Sequence, residues 1–209
     1  MRLSCVTESF SPPTKSFENE QTVTELEPDA GDLDIRSLGS AIRYSALTAR
    51  GGRELVAAYV ASATQGSTVA APWRCLWVQG GRAELDIHPP ALRARGVDLG
   101  RFFLTTSPEP VRQLKPIFLD PVFKLIVIDA PEKLSDGDLV FIAQKARAHR
   151  QIILLLRPHF LTDGRGNVWA KVRVNAWQQE ASPGTFRLES IRGLVQRSVI
   201  VNLRPSSTS

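Results

Sequence analysis

Cysteine, histidine and long apolar runs are all scarce in this sequence. Its 209 residues include two cysteines, Cys5 and Cys75, and three histidines, His88, His149 and His159. Two thiols exclude a disulfide framework and a four-thiolate zinc site. The histidines have neither H-E-x-x-H nor paired spacing. All of these residues are therefore read as ordinary core or surface, and no metal is expected. Apolar runs such as Leu125 to Ile128 and Ile152 to Leu156 are strand-sized, far short of the roughly 18 residues a membrane span needs. The opening residues lack an apolar stretch followed by a small-residue cleavage site, so no secretory signal is expected. A soluble, cytoplasmic protein with no membrane partner is the expectation. The length suffices for one domain with a true core.

The net charge of +5 conceals an asymmetry. Residues 1–35 hold eight acidic side chains against Arg2 and Lys15, a net −6, which leaves +11 on residues 36–209. A basic body with an acidic arm suits a polyanionic or acidic partner, with the arm competing for the same face; a disordered leader on a moderately basic domain fits as well. The leader is rich in Pro, Ser and Glu and cannot bury enough apolar surface to offset its chain entropy. Residues 1–34 are expected to be disordered, 35–203 to form the domain, and 204–209 to be a disordered tail.

Between these ends, strand and helix signals alternate. Ile42 to Leu47 is a short apolar-rich stretch followed by the turn signal ARGG. Glu54 to Thr64 places Leu55, Ala58, Tyr59 and Ser62 on one helical face. WRCLWVQ reads as a strand closed by Gly80 and Gly81. Pro89 and Pro90 open a short helix that ends at Gly96. RFFLTT reads as a strand, and Pro110 to Leu119 as one helix. KLIVIDAP is the strongest strand signal, a near-continuous apolar run ending in Asp129, as in strands buried on both faces. Ser135 or Asp136 can cap a helix from Gly137 to Arg150, and QIILLL is another apolar strand. VWAKVRVNAW alternates with a period of two, which predicts an antiparallel or edge strand with one polar face. TFRLESIRG and RSVIVNL complete a β-meander. The pattern predicts a three-layer α/β domain whose mainly parallel sheet carries a C-terminal antiparallel extension.

Open parallel sheets place working residues at the carboxyl ends of their strands. Asp129 sits at such an end, where nucleoside-triphosphatases hold the aspartate that organises magnesium; a plain loop-capping aspartate fits equally. A phosphate-binding loop needs G-x-x-x-x-G-K-[ST]. Here the first strand-to-helix turn reads TARGGRELV: Gly51 and Gly52 are present, but Arg53 and Glu54 stand in place of Lys and Ser/Thr. Arginine is a planar fork in place of a point charge, and a carboxylate at Glu54 facing the phosphates would repel them. Tight ATP binding is not expected. The basic residues are spread and read mostly as solvated surface. The loop RPHFLTDGRGN, which begins at Arg157 and includes Arg165, could instead lie on a phosphate backbone. Trp169 and Trp177 share a strand face and could stack bases or pack beneath a helix.

The order WRCLWVQGG, ALRARGVDLGRFFLTT, KLIVIDAP, QIILLLRP, NVWAKVRVNAW, FRLESIRGLVQRSVIVNL resembles the RecA core over residues 38–203. Among RecA relatives it looks closest to the ImuA type, also called SulA-like. The resemblance implies a RecA-like core with an eroded nucleotide site. The phosphate-loop Lys and Thr fall on Arg53 and Glu54, and the magnesium aspartate falls on Asp129. The catalytic Glu falls near Gly81, unless Glu84 reaches in, and the nucleotide-sensing Gln falls near Arg157. The two lysines that reach a neighbouring subunit fall on Arg192 and Leu194. Self-assembly into a RecA filament is not expected.

The resemblance implies a non-catalytic accessory protein of DNA repair and damage-induced mutagenesis. Its partners would be RecA or an error-prone polymerase complex, with single-stranded DNA as a further candidate. The expected contact residues are Arg157, Arg165, Lys171, Arg173 and Arg192, and no cofactor is expected. The alternative is a divergent RecA-type ATPase acting on single-stranded DNA with ATP and magnesium, built on Asp129 and Arg53. A third reading, a division-inhibitor-like binding protein, rests on fold alone.

Overall fold

The structure, a computed structural model of the chain, describes residues 44–48, 52–66, 71–81, 87–162, 170, 172–180, 184–192 and 198–203. All of them fall within the unit Leu33–Ser209. The expected leader and tail lie outside the described residues.

In chain order the elements are β1 (Tyr44–Thr48), α1 (Gly52–Gln65), β2 (Cys75–Gln79), α2 (Pro89–Ala94), β3 (Phe102–Thr106), α3 (Pro110–Gln113), α4 (Lys115–Leu119), β4 (Leu125–Asp129), α5 (Asp136–Ala148), β5 (Ile152–Arg157), β6 (Val172–Gln178), β7 (Thr185–Arg192) and β8 (Ser198–Asn202). The strands form one sheet in the order β3-β2-β4-β5-β1-β6-β7-β8. From β3 to β6 every pairing is parallel, whereas β7 runs antiparallel to both β6 and β8. This is the α/β fold with a C-terminal antiparallel extension that the sequence pattern predicts.

The pleat explains the continuous apolar runs. Trp77, Leu125, Val127, Leu154 and Leu156 enter the core beneath α1, while Leu76, Val78, Ile126, Ile128, Ile153 and Leu155 enter the core beneath α3, α4 and α5. A strand covered on both faces has no polar side to present, so alternation vanishes in β2, β4 and β5. Each fully buried Leu or Ile contributes about 1.5–3 kcal/mol of transfer free energy.

Three local features sharpen or depart from the sequence pattern. Ser135 is the cap of α5: its Oγ accepts from Asp138 N at 3.2 Å, and Asp138 Oδ2 accepts from Ser135 N at 3.0 Å. Asp136 and Asp138 lie in the first turn, and Lys145 and Arg147 in the last, matching the helix dipole. The single helix expected over Pro110 to Leu119 is two short ones. Pro116 has no N–H to donate and its ring would crowd the carbonyl of Arg112, so α3 ends and α4 starts afresh. Strand β6 is no edge: it pairs antiparallel with β7, one of the two arrangements the alternation predicts, and its more polar face is enclosed. It lies between β1 and β7, and both Arg173 and Asn175 are buried. The alternation survives because polar partners meet it inside: Asn175 Nδ2 donates to Leu161 O at 2.9 Å, and Leu161 N donates to Asn175 Oδ1 at 2.8 Å.

Candidate functional site

The carboxyl ends of β2, β4 and β5 are tied together by backbone. Gly80 N donates to Asp129 O at 2.7 Å, Ser107 N to Gln79 O at 2.9 Å, and Ala130 N to Leu156 O at 3.1 Å. Ala130 adopts φ 44°, a left-handed conformation that costs a non-glycine residue energy and is held by its surroundings. The chain after β4 thereby crosses the end of β2. A Cβ at Gly80 would lie 2.4 Å from Pro131 Cα and 2.6 Å from Ala130 O, so only glycine fits there.

Asp129, the last residue of β4, is fully buried on the α1 side of the sheet. In-register pairing of Gln79 with Asp129 places Trp77, two residues earlier in β2, on the same face. Trp77 Nε1 donates to Asp129 Oδ2 at 3.3 Å. Arg53, in the first turn of α1, brings Nε to 2.8 Å from the same oxygen, with its side chain 37% exposed. Burying a carboxylate is costly unless it is paired and hydrogen-bonded, and Arg53 and Trp77 meet that requirement from two elements. Gly52, which opens α1, is itself buried; Gly51 lies outside the described residues.

Glu54 does not face the site, contrary to the expectation from sequence. Its Oε1 accepts from Arg95 Nη2 at 3.3 Å, with both side chains about half exposed. The α1 turn from Arg53 to Glu54 carries the two side chains apart, one inward to Asp129 and one outward to the C-cap residue of α2.

These residues do not fit a magnesium–nucleotide group. The carboxylate that would meet the metal is neutralised by Arg53 and capped by Trp77, and the arginine that would meet phosphate is spent on that carboxylate. Among the described residues, no cluster of three or more His, Cys, Asp or Glu is placed to hold a metal ion.

Of the expected contact residues, register pairs Arg173 with Arg192 across β6 and β7, with β1 between β6 and Arg157 on β5, but their burial differs. Arg157 ends β5 half-buried, and burial lowers the pKa of its guanidinium. Its Nε is enclosed without a hydrogen-bond partner among the described residues. Arg173 is 2% exposed, so its guanidinium serves the interior. Register through β1, Thr48 beside Arg157 and Ala46 beside Arg173, puts both arginines on one sheet face. Arg192 ends β7 and is exposed. Arg165 and Lys171, with Glu84, Trp169 and Leu194, lie outside the described residues. Trp177 is half-buried, edge-on to Phe160 with ring centroids 6.3 Å apart and with the Arg187 guanidinium 5.6 Å from its ring centre. Among the described residues, these neighbouring side chains supply part of its cover. Cys75 is buried and its thiol is pushed up to about 12 by desolvation, in keeping with a core residue.

Sequence reasoning missed Trp77 and Gly80. Parity in the register with Asp129 would have singled out Trp77, but register is a property of the sheet order. No protein-family model matches the chain, and no curated protein does. No helix among the described residues is long and apolar enough to cross a membrane.

Proposed function

We propose that this chain is a non-catalytic RecA-like accessory protein of DNA repair and damage-induced mutagenesis. In this reading it acts in the cytoplasm by binding RecA or an error-prone polymerase complex, with single-stranded DNA as a further contact. One observation carries the non-catalytic part: the aspartate at the end of β4 is bound by the chain's own Arg53 and Trp77. Breaking this partly exposed pair costs about 2 kcal/mol, between the limits for exposed and buried pairs, and a nucleotide would have to offset that loss before gaining any contact. The order of strands and the antiparallel β7 accord with the RecA-like core that the sequence resemblance implies. Arg157 supports a contact role at the same end of the sheet, because a half-buried guanidinium is stabilised once a phosphate or carboxylate pairs with it.

The test is calorimetric titration of the whole protein with ATP and magnesium, alone and with single-stranded DNA, followed by titration with purified RecA. The reading expects no nucleotide heat and saturable binding of RecA or DNA that weakens in Arg157→Ala and Arg192→Ala variants. Micromolar nucleotide binding would replace it with the divergent ATPase built on Arg53 and Asp129. Absence of both nucleotide and partner binding would remove the accessory role.

A further inference from the structure

On the sheet face opposite Asp129, α3 and α4 flank α5 and leave a groove of about 440 Å³, with Phe141 and Val111 at its apolar wall and Glu109, Arg112, Lys115 and Lys133 among its rim residues. Its charges are of two kinds. Glu109 is shared by Arg112, at 3.1 Å, and Lys133, at 3.4 Å. Asp138 is occupied by the cap of α5. Lys115 and the adjacent Lys145 differ. Their ammonium groups lie 5.9 and 5.7 Å from the centre of the Phe141 ring, and neither has a carboxylate partner among the described residues. An aromatic face positions a cation without neutralising it.

We infer that this groove is a docking site for an acidic, partly apolar peptide segment of a partner protein. Carboxylates of the segment would meet Lys115 and Lys145, and an aromatic or aliphatic side chain between them would pack on Phe141. Charge complementarity selects this occupant. Two ammoniums with no carboxylate partner among the described residues lie close to one aromatic ring, which suits a chain whose acidic and apolar residues are interspersed. A nucleic-acid backbone fits less well, because a continuous line of phosphates carries no apolar side chain to meet the Phe141 ring between the two lysines. The inference does not depend on the RecA-like reading, since the groove and the Arg53–Asp129 pair lie on opposite faces of the sheet.

The test uses the full chain and a fluorescein-labelled synthetic peptide in which Glu and Asp alternate with Phe and Leu, read by fluorescence anisotropy. A control peptide carries Lys at each acidic position. Saturable binding of the acidic peptide is expected, weakened by added salt and lowered about tenfold or more by the double change Lys115→Glu and Lys145→Glu. If that variant loses its native circular dichroism, Lys115→Gln with Lys145→Gln removes the same charges with less disturbance and is expected to lower affinity in the same direction. Three results would overturn the inference: no saturable binding, equal binding of the basic control, or an affinity unmoved by the folded lysine variant. A single-stranded oligonucleotide that displaces the peptide and itself depends on both lysines would also overturn it, and would assign the groove to phosphate.

Discussion

Arg53→Ala removes the ion pair from the buried Asp129 carboxylate, which keeps the Trp77 N–H at 3.3 Å. Exposed ion pairs contribute about 0–1 kcal/mol, while removal of one partner from a buried pair costs about 3–5 kcal/mol. The Arg53 side chain is 37% exposed and Asp129 is not exposed at all, so the loss should fall between these limits, at about 2 kcal/mol. The reverse change is milder. Asp129→Asn keeps an acceptor for Trp77 and leaves Arg53 free to turn towards water, for a cost of about 1 kcal/mol. The double variant, with neither charge, should be more stable than Arg53→Ala alone, and the cycle should show a coupling of about 1–2 kcal/mol. Urea denaturation followed by circular dichroism reads all four proteins, and Arg53→Ala should lower the midpoint by about 1 M with an unchanged slope. If Arg53→Ala is no less stable than Asp129→Asn, or if the two losses simply add, the carboxylate does not depend on Arg53 and the account of the site is wrong.

Gly80→Ala drives a methyl group into the Pro131 backbone at 2.4 Å and should cost about 1–3 kcal/mol or more by overpacking, read as a lower urea midpoint. Asn175→Ala strands the N–H and C=O of Leu161 and should cost about 2–4 kcal/mol, taking about 1–3 for each unpaired group with partial relaxation. Arg157→Met removes a half-buried guanidinium whose Nε has no partner among the described residues and should leave thermal stability unchanged or slightly raised; a clear loss would mean that the arginine is structural. In a Cys5→Ser background, Cys75 should resist iodoacetamide at neutral pH until urea unfolds the protein, because its thiol is buried and raised to about 12. Prompt native labelling would contradict the packing beneath α1.

The strands were legible because their burial is extreme. KLIVID and QIILLL admit no polar face, and the Ser135 cap is written in a local spacing that needs no tertiary partner. The break at Pro116 is a local signal as well, a missing N–H, although the apolar pattern of that segment reads as one helix. The candidate site was legible only in its parts. Arg53 and Asp129 each stand at a predicted end of an element, but their 2.8 Å approach depends on which strands are neighbours. Periodicity reports what a strand buries and says nothing of what lies beside it. The same limit explains β6, where Arg173 and Asn175 look solvent-facing in sequence and are enclosed in the fold. Part of that cover comes from the chain after β5, which reaches back to Asn175 at Leu161.

The geometry around Asp129 also bears on why such a carboxylate persists at all. A strand ending in leucine would bury more apolar surface and need no partner, and replacing a buried ion pair by well-packed apolar groups is often neutral or stabilising. Here the pair crosses between layers: Asp129 belongs to the sheet, Arg53 to the first turn of α1, and Trp77 to the neighbouring strand. Its directional bonds fix how far α1 advances along the sheet and in what rotation, which non-directional apolar contact does not specify. The outward Glu54–Arg95 pair then fastens the same turn to α2 at 3.3 Å. An arginine and a glutamate in adjacent positions thus align one helix with two different elements. If alignment is their role, Arg53→Met with Asp129→Leu should retain stability while losing uniqueness of the α1 position, seen as broadened amide resonances for Gly52 to Val60 in NMR spectra. Sharp, undisplaced resonances in that variant would show that packing alone sets the helix.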